Sequence, residues 1–348
     1  MSDILKTLPR AADNSGGPSI WWWAFGYFAC YVPYTALTKM LSQPLVAVGG
    51  EGGVNGLELL PPTAIASTIT SYAFLFGSGL WRHAVKRPIA GLPIPTPSRL
   101  TFLSGLCAAG IISTTTLAYT FGASAVLLAL LMRGGVLIIA PIVDAVTRRT
   151  VRWFSWAALA LSLIALAISV KSGDTRMTVL ATVDVACYLG FYFIRLSLMS
   201  RKAKSKDLAT NRRYFVEEML VSTPALVAIL AIGAVVAGGR TGALLEAGFT
   251  TFFDRPVVGY AITIGVLSQG TGIFGGLIFL DQRENTFTVP VNRASSVLAV
   301  LAASIYLSTA FAVYPPVPGR ELASAGLILV SIAFLTLGPI LDRRRAGR

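Results

Sequence analysis

Ten apolar runs, each long enough to cross a bilayer as a helix, dominate this chain. They cover residues 20–41, 61–81, 100–119, 122–146, 152–171, 177–198, 214–237, 256–279, 285–309 and 321–341. A spanning α-helix needs about 20 mainly apolar residues, because inside a bilayer its backbone groups must bond to one another. Composition agrees with that reading. Of 348 residues, 54% are hydrophobic and 13% charged, whereas a soluble domain carries about 25% charged residues. Disorder is excluded, since it requires low hydrophobicity. The expected fold class is an all-α polytopic membrane protein with ten transmembrane helices and the lipid bilayer as its first partner.

The formal charge of +13 could suggest nucleic acid, but its distribution does not. The positive residues fall in short clusters between apolar runs, with no basic face interleaved with aromatics. Such clusters orient a membrane protein, because Lys and Arg stay on the cytoplasmic side. With the N-terminus inside, 20 of the 29 Lys and Arg fall on the cytoplasmic side, 5 on the other, and 4 within helices. Both termini are therefore expected in the cytoplasm. Residues 1–19 read as a polar cytoplasmic segment without signal-peptide grammar, and 342–348 as a basic tail. The expected location is a bacterial inner (cytoplasmic) membrane, crossed many times.

Several chemistries lack their residues. Cys30, Cys107 and Cys187 lie far apart and His83 is the one histidine, so no disulfide framework, metal site or cofactor site is expected. A GxxxxGK[ST] loop is absent, as are HExxH and GxSxG; neither an ATP-driven pump nor a hydrolase has its usual signature. The chain does not read as an enzyme.

Internal similarity is weak but in register. A shift of 160 residues lays GLCAAG (105–110) on GVLSQG (265–270), pairing Gly105 with Gly265, Gly110 with Gly270 and Arg133 with Arg293. A shift of 157 lays Ala-Cys-Tyr at 29–31 on Ala-Cys-Tyr at 186–188. The expected repeats are 20–171 and 177–341, five helices each. An odd number of spans inverts the second repeat across the membrane, an arrangement typical of secondary transporters.

The 5+5 layout and the stretch LLMRGGVLIIAPIVDAVTRRTVRWFSWAALALSLIALAISV (130–170) resemble the drug/metabolite transporter superfamily. There a fourth helix ends in a short basic loop and a fifth begins near a Trp. The likeness is to EamA-type carriers and, through the arginine within a helix, to the nucleotide-sugar and phosphate-translocator branch. The first helix has no glutamate like that of small multidrug exporters, and VNRASSV in the ninth run lacks the Lys-Arg pair of the sugar-phosphate carriers. The resemblance implies a carrier working by alternating access.

Charges inside spans cost about 2.5–3.5 kcal/mol each on insertion scales and so become functional candidates. Arg133 lies about 16 Å into the fourth run by helical rise, and Arg293 enters to a similar depth from the other side. They read either as structural arginines bonded to backbone carbonyls or as two guanidiniums that grip a carboxylate or phosphate. Lys39 and Arg195 lie near helix ends and read as interfacial anchors or gate residues. Tyr27, Tyr31, Tyr34 and Thr38 share a stripe whose counterparts are Asp184, Tyr188, Phe191 and Arg195. Asp184 can pair with an arginine or exchange a proton during transport. Thr115, within the Ser113–Thr116 run, and Gln269 are further lining candidates. Asp144, on the face of Arg133 but at the cytoplasmic end, can pair with Arg148 or Arg149 and serve a gate. Glu217 and Glu218 read as caps at the start of the seventh helix.

The function expected is secondary active transport of a small organic anion or zwitterion between Arg133 and Arg293. A flippase for a lipid-linked phosphate, or another lipid-handling protein, is the alternative. The expected partners are a small-molecule or lipid-like substrate and the bilayer, with no nucleic acid; a homodimer is left open.

Overall fold

The computed structural model describes residues 20–42, 53–89, 92–118, 125–169, 179–204, 207–311, 317 and 319–346. The N-terminal segment expected over 1–19, residues 43–52 of the connection after the first apolar run, and Lys171 and Arg176 lie outside the described residues. The chain forms helices α1 (Ile20–Ser42), α2 (Gly56–Gly77), α3 (Arg99–Ala118), α4 (Ala125–Val146), α5 (Trp153–Ser169), α6 (Val179–Lys202) and α7 (Leu208–Val236). A short α8 (Gly239–Phe249) precedes α9 (Val258–Phe279), α10 (Asn285–Ala310) and α11 (Gly319–Ala346). All but α8 overlie the apolar runs.

Where helices start is set by caps rather than by where apolarity begins. Asn55 accepts from the Leu57 amide and opens α2 ahead of Pro61 and Pro62. The Asp207 carboxylate accepts from the amides of Ala209 and Thr210 and opens α7. That start corrects the reading of Glu217 and Glu218 as caps, because it leaves both two to three turns inside the helix. Between α2 and α3, where Pro93 and Pro95 forbid a helix, strands β1 (Lys86–Ile89) and β2 (Leu92–Pro95) form an antiparallel hairpin with Lys86 opposite Pro95.

This is a membrane protein of helices. Among the described residues, six stretches are long and apolar enough to cross a bilayer: α2, 181–202 of α6, α7, α9, α10 and 322–341 of α11. The outside is apolar, with Trp22, Ile69, Ile138, Ile232, Val235 and Leu329 all exposed. Polar groups such as Asp144, Glu217, Asn285 and Thr288 are buried. That inversion suits a hydrocarbon solvent. The main packing pairs are α5 with α11, α1 with α9, α3 with α7, α2 with α9, α3 with α6, α1 with α10, α4 with α6, α2 with α7 and α4 with α10.

Two of these contacts depend on glycine. A Cβ on Gly265 would stand 2.5 Å from Ala66 Cβ and 2.5 Å from the Thr63 carbonyl oxygen. A Cβ on Gly105 would stand 2.6 Å from Val221 Cβ and 3.1 Å from the Glu218 carbonyl oxygen. The absent side chain lets α9 approach α2 closely enough for Ser67 Oγ to donate to the Gly265 carbonyl at 2.7 Å. Gly265→Ala is expected to destabilise the protein by about 1–3 kcal/mol, as overpacking does. Gly326→Ala meets nothing within 4 Å and is expected to be neutral or slightly stabilising. Thermal unfolding of the detergent-solubilised protein separates the two; equal shifts would contradict the packing argument.

Candidate functional site

Helices α4 and α10 pack against each other, and each carries one arginine well inside the helix. Arg133 stands eight residues into α4 and Arg293 eight residues into α10, about 12 Å of helical rise in each case. Both border one cavity, whose other walls are Leu137, Ser162, Leu166, Val297, Ser324 and Ile328. The lining is a set of four taken twice. Each arginine is followed one turn later by an aliphatic residue (Leu137, Val297). The helices α5 and α11 each add a serine and, one turn on, another aliphatic residue (Leu166, Ile328). The space enclosed is about 10 Å³, room for about one water.

On the α1 and α6 side Arg293 meets tyrosines. Arg293 Nη2 donates to Tyr192 Oη at 2.6 Å, and its guanidinium carbon lies 5.2 Å from the centre of that ring. Arg293 Nε is buried with no hydrogen-bond partner among the described residues. Tyr188 packs on Tyr192 with ring centres 5.0 Å apart, and Tyr27 stacks on Tyr31 at 5.4 Å. Tyr27 and Tyr188 both lie within electrostatic range of both arginines. The structure thus brings together Arg133, Arg293, Tyr27, Tyr31 and Tyr188. It adds Tyr192, which the sequence reading passed over although it stands one turn beyond Tyr188. Such an arrangement offers two cationic donors, a tyrosine hydroxyl and aromatic walls, which together suit an anion with an apolar body.

The other candidates lie elsewhere. Gln269 is buried in α9, away from the cavity lining. Thr115 Oγ1 donates to the Ile111 carbonyl of its own helix at 2.7 Å, and Ser113 and Thr114 bond back likewise. Asp184 is buried on α6, with one carboxylate oxygen unpartnered among the described residues. Lys39 Nζ donates to Ser304 Oγ at 2.9 Å and so ties α1 to α10.

Three acidic residues are structural centres. Arg195 turns inward and grips Glu218 with two bonds, Nε to Oε1 at 2.9 Å and Nη2 to Oε2 at 3.1 Å. Ser104 Oγ donates to the same Glu218 oxygen and accepts from Tyr214 Oη at 2.7 Å, which joins α3, α6 and α7. Glu217 accepts from the Ser98 amide at 3.0 Å and from Thr101 Oγ1 and Arg213 Nε at 2.7 Å each. Asp144 pairs with neither Arg148 nor Arg149 by a direct hydrogen bond. Its carboxylate accepts from the amides of Asn285 and Thr286 and from Asn285 Nδ2 and Thr286 Oγ1, at 2.7–2.9 Å. It thereby caps α10 from another helix. The side chain of Glu284, the residue at the N-cap position, makes no capping bond.

Compared with known proteins, the chain matches no family model and no curated protein. A solved structure titled "Crystal structure of protein" is similar over 91% of this chain and 98% of its own, at 15% identity and a TM-score of 0.49.

Breaking the Arg195–Glu218 pair from one side strands a buried charge. Glu218→Ala is expected to destabilise the protein by about 3–5 kcal/mol, while replacing both partners by apolar residues (Arg195→Met with Glu218→Leu) recovers most of that loss. Chemical unfolding of the three proteins measures it. A double variant as unstable as the single one would contradict the assignment.

Proposed function

We propose that the chain is a secondary transporter of the drug/metabolite type, which carries a small organic anion, or a zwitterion held by its acidic group, between Arg133 and Arg293. The observation that carries this reading is the doubled lining of the arginine cavity. Two guanidiniums at matching positions of two helices, each with the same neighbours, are what an internal repeat produces at its axis.

The packing pairs support an inverted repeat as well. Exchanging α1 with α6, α2 with α7, α3 with α9, α4 with α10 and α5 with α11 turns the main pairs into one another. Under the same exchange, the approach of Gly105 to Val221 and the Glu218 carbonyl becomes that of Gly265 to Ala66 and the Thr63 carbonyl. Ten spans, five in each repeat, with both termini in the cytoplasm of a bacterial inner membrane, fit the basic loops.

Charge selects the substrate class. At an effective dielectric of about 20, a like-charge contact at 4 Å costs about 4 kcal/mol, close to a thousandfold in affinity. A lipophilic cation is therefore disfavoured beside these arginines and an anion favoured. The cavity as it stands holds about a single water, so a substrate enters only as α4 and α5 part from α10 and α11. That separation is the movement alternating access requires. The aliphatic walls at Leu137, Leu166, Val297 and Ile328 also suit the chain of a lipid, which gives the lipid-handling reading its support.

Purified protein in liposomes is expected to take up organic anions down a gradient without nucleotide. Arg133→Ala and Arg293→Ala should each lower uptake at least tenfold while folded protein remains in the membrane. Arg→Lys should recover part of it, because lysine keeps the charge but loses the bidentate fork. Retained uptake in both alanine variants, or a preference for lipophilic cations, would refute the proposal. A phospholipid that co-purifies and is flipped by the liposomes would favour lipid handling instead.

A further inference from the structure

At the end of the bundle that carries the basic loops, α4 and the turn after it meet the end of α6 and the turn before α10. The junction is polar and buried. Asp144 is fully buried and Lys204 only 8% exposed. Lys204 Nζ donates to the Arg283 carbonyl at 2.8 Å and to Thr288 Oγ1 at 3.3 Å. Arg149 donates to three carbonyls, those of Gln282 at 3.0 Å, Ser200 at 3.1 Å and Lys204 at 3.2 Å. Asn285 Nδ2 spans from Asp144 to Ser200 Oγ, and Ser155 Oγ donates to Glu284 at 2.7 Å. Every one of these bonds except those of Lys204 and of Asn285 to Ser200 runs from α4, α5 or their connection to segments of the other proposed repeat. The internal similarity does not reproduce the pin at the opposite end, because the residue 160 positions beyond Asp144 is Ser304.

We propose that this cluster is the cytoplasmic gate of the carrier and that Lys204 makes it proton-sensitive: the gate holds when Lys204 is neutral and loosens when Lys204 is protonated. The inference rests on the transporter reading, since a gate presupposes two repeats that separate. Opening breaks the Asp144 cap on α10 and withdraws Arg149 from the three carbonyls, and it brings Lys204 to water. The charged groups that act on Lys204 are Asp144 and Arg149 from α4 and its following turn, and Asp281 and Glu284 from the turn before α10; the Arg283 guanidinium in that turn is paired with Asp281. Its own helix adds Arg201 and Lys202.

Burial and the nearby Arg149 push Lys204 down to about 7, although Asp144, Asp281 and Glu284 pull the other way. In an open gate Lys204 is hydrated and holds its proton as an ordinary lysine does, up to about pH 10.4. Between about pH 7 and that value the open form therefore binds more protons than the closed one. Closure strengthens as pH rises through this window and changes little below it. The shift is about tenfold per pH unit within the window.

Ala203, beside Lys204 and fully buried, offers a reporter. The test uses full-length protein in inside-out vesicles with Cys30, Cys107 and Cys187 replaced by Ala and a single Ala203→Cys. The alkylation rate by a membrane-impermeant maleimide is divided by that of the exposed Thr150→Cys at each pH, which cancels the ionisation of the thiol. The ratio is expected to fall about tenfold per unit from pH 7 to pH 9. Adding Lys204→Met should leave it low and independent of pH, and adding Lys204→Arg high and independent of pH. A flat ratio in the unmodified background, or a Lys204→Met profile that still follows pH, would overturn the gate. Because the readout is accessibility, it decides the gate even where no transported solute has been found, and failure of transport alone would overturn only the transporter reading.

Discussion

Two guanidiniums at one cavity are the constraint around which the rest of this protein is arranged. Arg133 and Arg293 each stand eight residues inside a helix, about 12 Å from its start, so neighbouring side chains must supply their partners. They do so incompletely. Arg293 has a tyrosine hydroxyl and a ring, and its Nε lacks a partner among the described residues. A purely structural arginine would be expected to have each of its donors satisfied, because a buried unmade bond costs about 1–3 kcal/mol. The unmatched donor beside an apolar cavity is what makes an anionic ligand the economical explanation.

Three buried carboxylates show the opposite pattern, whereas Asp184 keeps one oxygen unpartnered among the described residues. Glu218 takes two bonds from Arg195 and one from Ser104, Glu217 takes four, and Asp144 takes four. These groups hold elements together rather than wait for something to bind. At the cavity itself, Arg293, with its Nε unpartnered among the described residues, stands apart from these saturated carboxylates.

Much of the frame was legible in the sequence because a bilayer imposes one length on apolar runs, and the described helices other than α8 fall on them. The pairing of Arg133 with Arg293 was legible too, since α4 and α10 differ by a constant offset from α3 and α9. Ser162 of α5 and Ser324 of α11 line the same cavity but do not fall on each other under that offset, so the sequence did not announce them. Other features needed the third dimension. Glu217 and Glu218 look like caps until Asp207 is seen to open α7 further back. Asp144 caps a helix 141 residues away in the chain, and no periodicity announces that. The helix α8 is short and glycine-rich, so its run carries no apolar signature.

The central claim is that the arginine pair recognises negative charge. It is tested most directly by the unfolding temperature of the purified protein in the presence of matched ligands: an organic carboxylate, its primary amide and the corresponding amine. A ligand that binds only the folded state raises that temperature with concentration. Across a panel of such triplets, at least one carboxylate is predicted to stabilise the protein saturably, with its amide and amine silent. Stabilisation by the amine, equal stabilisation by the amide, or no response to any carboxylate would contradict the account.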